Sequence, residues 1–342
     1  MNNEWHWINK IVPDLQEKLI SRYLLLEAIA QLQPVGRRTL ADKMALSERS
    51  MRTETENLKD LNLVSIDKVG MQLTSSGSRL LKELKPTIDK LLGRQQRAEQ
   101  LQRVLGIQCC TIVPGNSDES QDVLETMGKT AESVLLDQLP EGESIIAVMG
   151  GSTMVSVAQQ MTQALTKNRQ LTFVPARGGI GEAPALQANA VSAKMAEQTG
   201  SKFRSLFIPE SISKEAIASL QSDPAISDIL DLIKSSNVAI HGIGEAIQMA
   251  ERRQMSQTLI QTLKKKRAVG EAFGYFFDED GNVVYKLPRI GLQLEDLAKK
   301  DFVLAVAGGS LKAAAIQAYA KIAPKQTWLI TDEGAADMIL KK

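Results

Sequence analysis

Ile145-Ile146-Ala147-Val148-Met149-Gly150-Gly151-Ser152-Thr153 is matched later in the chain by Val303-Leu304-Ala305-Val306-Ala307-Gly308-Gly309-Ser310-Leu311-Lys312. Each is a short, unalternating apolar run, the pattern of a strand buried on both faces, and each leads through Gly-Gly-Ser into helical periodicity. Strand, Gly-Gly-Ser, helix is a physical recipe for an anion site. The glycines let the backbone approach closely, and the free N–H groups and helix dipole face the negative charge. Ser152, Thr153 and Ser310 add hydroxyl donors and Lys312 a full positive charge. Gly-Gly also serves plain tight turns, so one such loop carries little weight. Two in one domain point to a ligand with two phosphates, although both loops could serve one.

Around these loops, residues 105–342 alternate short apolar runs with helical patterns, which predicts an α/β domain with a largely parallel sheet. The other expected strands are Cys109–Val113, Leu171–Val174, Ser205–Ile208, Val238–Ile240 and Thr327–Ile330. Open sheets of this kind bind ligands at the carboxyl ends of their strands. Arg177-Gly178-Gly179 falls there, after Leu171–Val174. His241-Gly242-Ile243-Gly244 similarly follows Val238–Ile240, with Arg252 and Arg253 on the next helix. Gly270-Glu271-Ala272-Phe273-Gly274-Tyr275 sets a carboxylate beside aromatics, where Glu271 could accept from sugar hydroxyls. The candidate ligand set is Gly150, Gly151, Ser152, Thr153, Arg177, Gly178, Gly179, Arg252, Glu271, Gly308, Gly309, Ser310 and Lys312. Any one Arg or Glu is as often a surface ion pair, and His241 is open to a structural role.

Residues 1–76 read as a mainly α winged helix-turn-helix. Leu19, Ile20, Tyr23, Leu24, Ala28, Ile29 and Leu32 recur at helical spacing, and Pro34 ends the run. A short helix capped by Thr39, with Leu40 and Met44 inward, is followed by a turn at Ala45-Leu46. Ser47 then caps a third helix reaching about Leu61, with Met51, Leu58 and Leu61 as its apolar contacts. Arg49, Ser50, Arg52 and Thr53 on its first turns suit major-groove reading. Arginine can make two hydrogen bonds to guanine, and hydroxyls reach phosphate or base edges. Leu63–Ile66 and Met71–Thr74, joined by a turn at Lys68-Val69-Gly70, form the wing. Arg37, Arg38, Ser47 and Lys68 complete the expected DNA contacts. A solvated charged face is the bland alternative, and the ordered set of caps, turn and hairpin argues against it.

Between the two, residues 77–104 read as a helical linker with a bend at Pro86. Leu80, Leu81, Leu84, Ile88, Leu91, Leu92, Ala98, Leu101 and Val104 make a near-heptad stripe, either a contact between subunits or packing on its own domain. Residues 1–104 carry 17 Lys and Arg against 13 Asp and Glu, while residues 105–342 carry 24 against 27. The basic head suits a polyanion that the acidic remainder does not. The only cysteines, Cys109 and Cys110, are adjacent, which disfavours a disulfide and makes no zinc site. No run approaches the ~18 apolar residues that span a bilayer and no charged-then-apolar leader opens the chain, so a cytoplasmic protein without a membrane partner is expected.

Five stretches carry a family resemblance: Pro34–Arg38, Phe173–Gly179, His241–Ala246, Glu271–Tyr275 and Thr331–Ala336. Over essentially its whole length the chain resembles the sugar-binding transcription regulators of the SorC type, distant relatives of the DeoR group. The resemblance implies a repressor of an operon for lower glycolytic enzymes, induced by fructose-1,6-bisphosphate, which weakens cooperative operator binding. It also implies a sensor domain folded like sugar-phosphate isomerases and deaminases (NagB/RpiA-like), and homodimers that assemble in pairs as a tetramer on DNA. By position, the ligand contacts implied are Ser152, Thr153, Arg177, Gly178, Gly179, Arg252, Glu271 and Lys312, with no catalytic residue, metal or cofactor beyond the effector. Ser152 stands where the family pattern has threonine, which keeps a hydroxyl. Two other readings compete. One is an active isomerase or deaminase carrying a DNA-binding head, with Asp332, Glu271 and His241 as possible bases. The other is a DNA-binding protein whose C-terminal domain is only an oligomerisation scaffold.

Overall fold

The computed structural model describes residue 7 and residues 10–178, 183–208 and 223–341. The chain divides into two compact units, residues 1–94 and 95–342.

In the first unit, helices α1 (Asp14–Leu32), α2 (Arg37–Lys43) and α3 (Glu48–Asp60) are followed by the antiparallel hairpin β1 (Val64–Ile66) and β2 (Met71–Leu73), then by α4 (Ser75–Leu91). Leu25, Leu26, Ile29, Leu40, Met51, Leu58, Val64 and Met71 make one core, so each short element contributes a residue or two to a shared interior. Ser47 caps α3 as expected, its hydroxyl accepting from the Ser50 N–H at 3.1 Å. Thr39 does not cap α2. The helix starts three residues earlier, because extended Gly36 serves as its N-cap without a side-chain bond. Leu61 is exposed rather than packed, lying past the last turn of α3.

The linker is not a separate element. Helix α4 runs through Pro86, and the break falls instead at Leu92-Gly93, where Gly93 adopts φ +67°. Leu80 and Leu81 pack on the core of the first unit, whereas Ala98 and Leu101 of α5 (Arg94–Leu105) join that of the second. These stripe residues therefore serve their own units.

The second unit is built on a seven-stranded parallel sheet. Its strands are β3 (Cys109–Val113), β4 (Gly142–Val148), β5 (Arg169–Pro175), β6 (Lys202–Phe203), β7 (Val238–Gly242), β12 (Phe302–Val306) and β13 (Thr327–Asp332), in spatial order β3-β13-β12-β7-β4-β5-β6. All five residues of β12 are buried, as a strand covered on both faces requires. Alternation splits the strands between two cores: Ala147 and Ala239 face one, and Ile146, Val148, Val238 and Ile240 face the other. Ser205–Ile208 is not a strand. The Asn189 side chain takes both backbone groups of Leu206, at 3.0 and 2.9 Å, in place of a ladder partner, and the edge strand is the shorter β6. A second, antiparallel sheet is formed by β8 (Gly244–Glu245), β9 (Ala268–Ala272), β10 (Tyr275–Asp278) and β11 (Val283–Lys286), in order β11-β10-β9-β8. Among the described residues no helix is long and apolar enough to cross a membrane.

Candidate functional site

Strands β4 and β7 are neighbours, yet the chain leaves them in opposite directions, towards β5 and β6 on one side and β12 and β13 on the other. Such a reversal opens a crevice beyond the strand ends, because the two connections cannot both cross it. The first Gly-Gly-Ser loop lies there. Gly150 passes so close to the Leu186 carbonyl that a side chain would clash, and Gly151 adopts φ +117° while donating to that carbonyl at 2.8 Å. Helix α7 (Ser152–Gln160) then starts with no side-chain cap. Its first helical bond runs from Val155 N–H to Gly151 C=O, so the amides of Ser152, Thr153 and Met154 precede the ladder.

These residues line a cavity that opens to solvent. Arg177, Arg252, Arg253, Lys312 and the carboxylate Glu271 share its wall with Gln248 and Phe273. Four cations against one carboxylate make it an anion pocket. Arg177 follows β5, is buried, and is pinned by a backbone bridge to Gly291. Glu271 on β9 is also buried; Oε1 accepts from Gly274 N–H at 2.6 Å and Oε2 from Arg253 Nη2 at 3.1 Å. Burial pushes its carboxyl up, but Arg253, Arg177, the Gly274 N–H and Arg289 together outweigh that and hold it below the usual carboxylate range. Lys312 is lowered by burial, and Asp118 partly offsets the shift.

Of the adjacent pair, the candidate contact Arg252 lines the cavity from the exposed end of α10 (Ala246–Arg252), whereas Arg253, outside the candidate set, is the buried partner of Glu271. Gln248 on the cavity wall and Arg289 are outside that set too. Arg289 stacks over Phe273 and Tyr275, with ring centroids 5.6 and 5.7 Å away, and acts on Glu271 from behind the cavity wall. No sequence signal singled it out, because it lies on the irregular segment after β11. Gly178 is placed beside this wall, its N–H donating to Ile290 C=O at 3.3 Å, and Gly179 lies outside the described residues.

The second Gly-Gly-Ser loop is not part of the cavity wall; of that motif only Lys312 reaches it. Its amides are taken by the chain itself: Gly309 N–H donates to Asp332 Oδ2 at 2.8 Å, Ser310 N–H to Asn116 Oδ1 at 3.3 Å, and Leu311 N–H to Asp118 Oδ2 at 2.9 Å. The three possible bases of an isomerase are likewise committed. Asp332 is fully buried and caps α13 (Glu333–Leu340) through Ala335 N–H at 2.9 Å. Glu271 is held by Arg253. His241 is fully buried, with Nδ1 2.9 Å from Gly242 C=O and Nε2 2.8 Å from the Tyr319 hydroxyl.

In the first unit, Met51, Thr55 and Leu58 face inward from α3, leaving Arg49, Ser50, Arg52 and Thr53 exposed. Arg52 Nε donates to Glu56 at 3.0 Å and Arg37 lies 3.8 Å from the same carboxylate, so two candidate phosphate or base contacts share one tether. Thr53 donates its hydroxyl to Arg49 C=O, while Arg38 and Lys68 are exposed.

Comparison with known proteins agrees with this division of labour. The CggR N-terminal DNA binding domain model matches residues 19–88, and the Sugar-bind model of a sugar-binding domain matches residues 89–341. The crystal structure of a SorC family transcriptional regulator from Enterococcus faecalis is 52% identical, covers 72% of this chain and 99% of its own, and superposes with a TM-score of 0.69. A DNA-binding head joined to a sugar-binding domain defines a sugar-responsive transcription regulator, and the chain belongs to the SorC family of such proteins. Within it, the chain is 42% identical to the central glycolytic genes regulators of Priestia megaterium, over 97% of this chain and 96% of that one, and of Bacillus subtilis, over 97% of both.

Proposed function

We propose that the protein represses a glycolytic operon and is released from its operator by fructose-1,6-bisphosphate bound in the cavity at the β4–β7 reversal. The observation that carries this reading is the uncapped start of α7 facing four cations and a single carboxylate. One phosphate sits on the amides and hydroxyls of Ser152 and Thr153, where the helix dipole and unpaired first-turn donors favour a dianion. Lys312, Arg252 and Arg177 meet the second, and Glu271, ionised and rigidly held, accepts from sugar hydroxyls. That Asp332, Glu271 and His241 are each engaged in structural bonds supports binding over isomerase chemistry.

The first unit acts as a winged helix-turn-helix, with α3 in the major groove and Lys68 at the hairpin turn against phosphate. Homodimers present two heads to paired half-sites, and two dimers make the tetramer on DNA. The ligand loosens this cooperative grip only by binding one arrangement of the protein better than the other.

Melting of the full chain tests the pocket. A true effector at about a hundred times its dissociation constant adds about 2.7 kcal/mol, a rise of roughly 5–10 °C, whereas fructose-6-phosphate gives less. Lys312→Ala should demand about tenfold more bisphosphate for the same shift, leaving ligand-free DNA binding unchanged. An equal shift by the monophosphate refutes the choice of effector, and no shift with any sugar phosphate refutes the pocket. For the head, Arg49→Ala or Arg52→Ala should weaken operator binding by about 1–3 kcal/mol at fixed salt, measured by anisotropy. Unchanged affinity in both would place the reading face elsewhere.

A further inference from the structure

The second Gly-Gly-Ser loop is an anion cradle already filled by the chain's own side chains, and its two carboxylates differ in how easily they leave. Asp332 is fully buried and accepts from Ser117, Gly309 and Ala335 N–H at 2.8, 2.8 and 2.9 Å, so removing it would strand three donors. Asp118 is exposed and holds one amide, that of Leu311, at 2.9 Å. Its carboxylate occupies the space where a Cβ on Gly309 would lie. The next residue after Leu311 is Lys312, which lines the ligand cavity and feels Asp118 as its leading attraction. Water can replace the single bond that Asp118 makes, but not the three of Asp332.

We infer that Asp118 is a resident anion that competes with the second phosphate of the ligand for Lys312, and so raises the concentration at which a bisphosphate acts. The inference rests on the pocket reading given above. A monophosphate seated at the start of α7 leaves Asp118 in place, while a bisphosphate works against its charge. Asp118 therefore sets both a response threshold and the margin between the two ligand classes.

Calorimetric titration of the full chain at low salt, with fructose-1,6-bisphosphate and fructose-6-phosphate, tests it in D118N. Asparagine keeps an oxygen for Leu311 N–H and loses the charge. The bisphosphate should bind about three- to fivefold tighter, the scale of one exposed charge interaction, with the gain shrinking as salt rises. The monophosphate should be unaffected. N116A supplies the structural control. It unties the same loop by removing the Asn116 bonds to Ser310 and Asp118 N–H, yet keeps the Asp118 charge, and should give no tightening. Bisphosphate binding that is equal or weaker in D118N than in wild type overturns the inference alone, as does equal tightening in N116A. Absence of binding by wild type removes the pocket reading and this inference with it.

Discussion

Arg253→Ala should destabilise the second unit by about 3–5 kcal/mol, the cost of leaving one member of a buried ion pair behind. Arg253 and Glu271 side chains are only 3% and 5% exposed, and their bond at 3.1 Å fixes the end of α10 to β9. Arg177 and Arg289 still favour the charged carboxylate, but neither replaces the hydrogen bond at Oε2. Because two units unfold in one chain, a single global transition is not assumed. Trp328, packed on Phe302 at 5.6 Å, reports the second unit alone once Trp5 and Trp7 are replaced by phenylalanine. The expected loss is roughly 6–15 °C in the Trp328 melting transition. Removing both side chains, as R253M with E271M, should cost less than the two single changes summed, because part of each loss is the same broken pair. A loss under about 1 kcal/mol in the single variant would mean that the pair contributes no more than a surface one.

The second large effect is a pH dependence centred on His241. Burial depresses its pKa to about 4, against backbone and Glu271 contributions that raise it. Gly242 C=O can only accept, so Nδ1 carries the proton and Nε2 accepts from the Tyr319 hydroxyl. Burial raises the Tyr319 pKa, which keeps that hydroxyl a donor. With the folded pKa below the unfolded value of about 6.5, the unfolded chain binds the proton first as pH falls. Stability is therefore fully present above about 6.5 and declines through that value. The loss reaches roughly 3 kcal/mol near pH 4, where the folded state also protonates. The Trp328 transition of wild type and His241→Gln, followed from pH 7.5 to 4, should converge by about that amount. Parallel curves would show that His241 is not the group responsible. The effect bears on the candidate site, because the ring packs edge-on against Phe273, which lines the cavity at the β4–β7 reversal, at 4.8 Å.

Much of the architecture was legible from local patterns. Unbroken apolar runs marked the buried strands, and Ser47 marked the start of α3 because a cap bond closes within three residues. Where local signals competed, longer-range contacts decided. Pro86 looked like the bend, but a glycine in the left-handed region seven residues later is where the helix breaks. Ser205–Ile208 has the composition of a strand, yet a side chain at Asn189 took the backbone bonds that would have paired it.

The site shows the same boundary more sharply. Gly150-Gly151-Ser152 and Gly308-Gly309-Ser310 are identical in sequence, and periodicity does not rank them. The first opens on a cavity, whereas the second is filled by Asp332 and by Asp118, a residue 193 positions away along the chain. Sequence by itself determined the α/β class, the paired glycine loops and the capped helix α3, because these rest on hydrogen bonds and burial patterns closed within one or two turns. Only the tertiary structure decided which loop stayed open, that Arg253 rather than Arg252 holds Glu271, and that Arg289 stands behind it. Those outcomes depend on where distant side chains spend their hydrogen bonds and charge, and a linear pattern does not encode such distances.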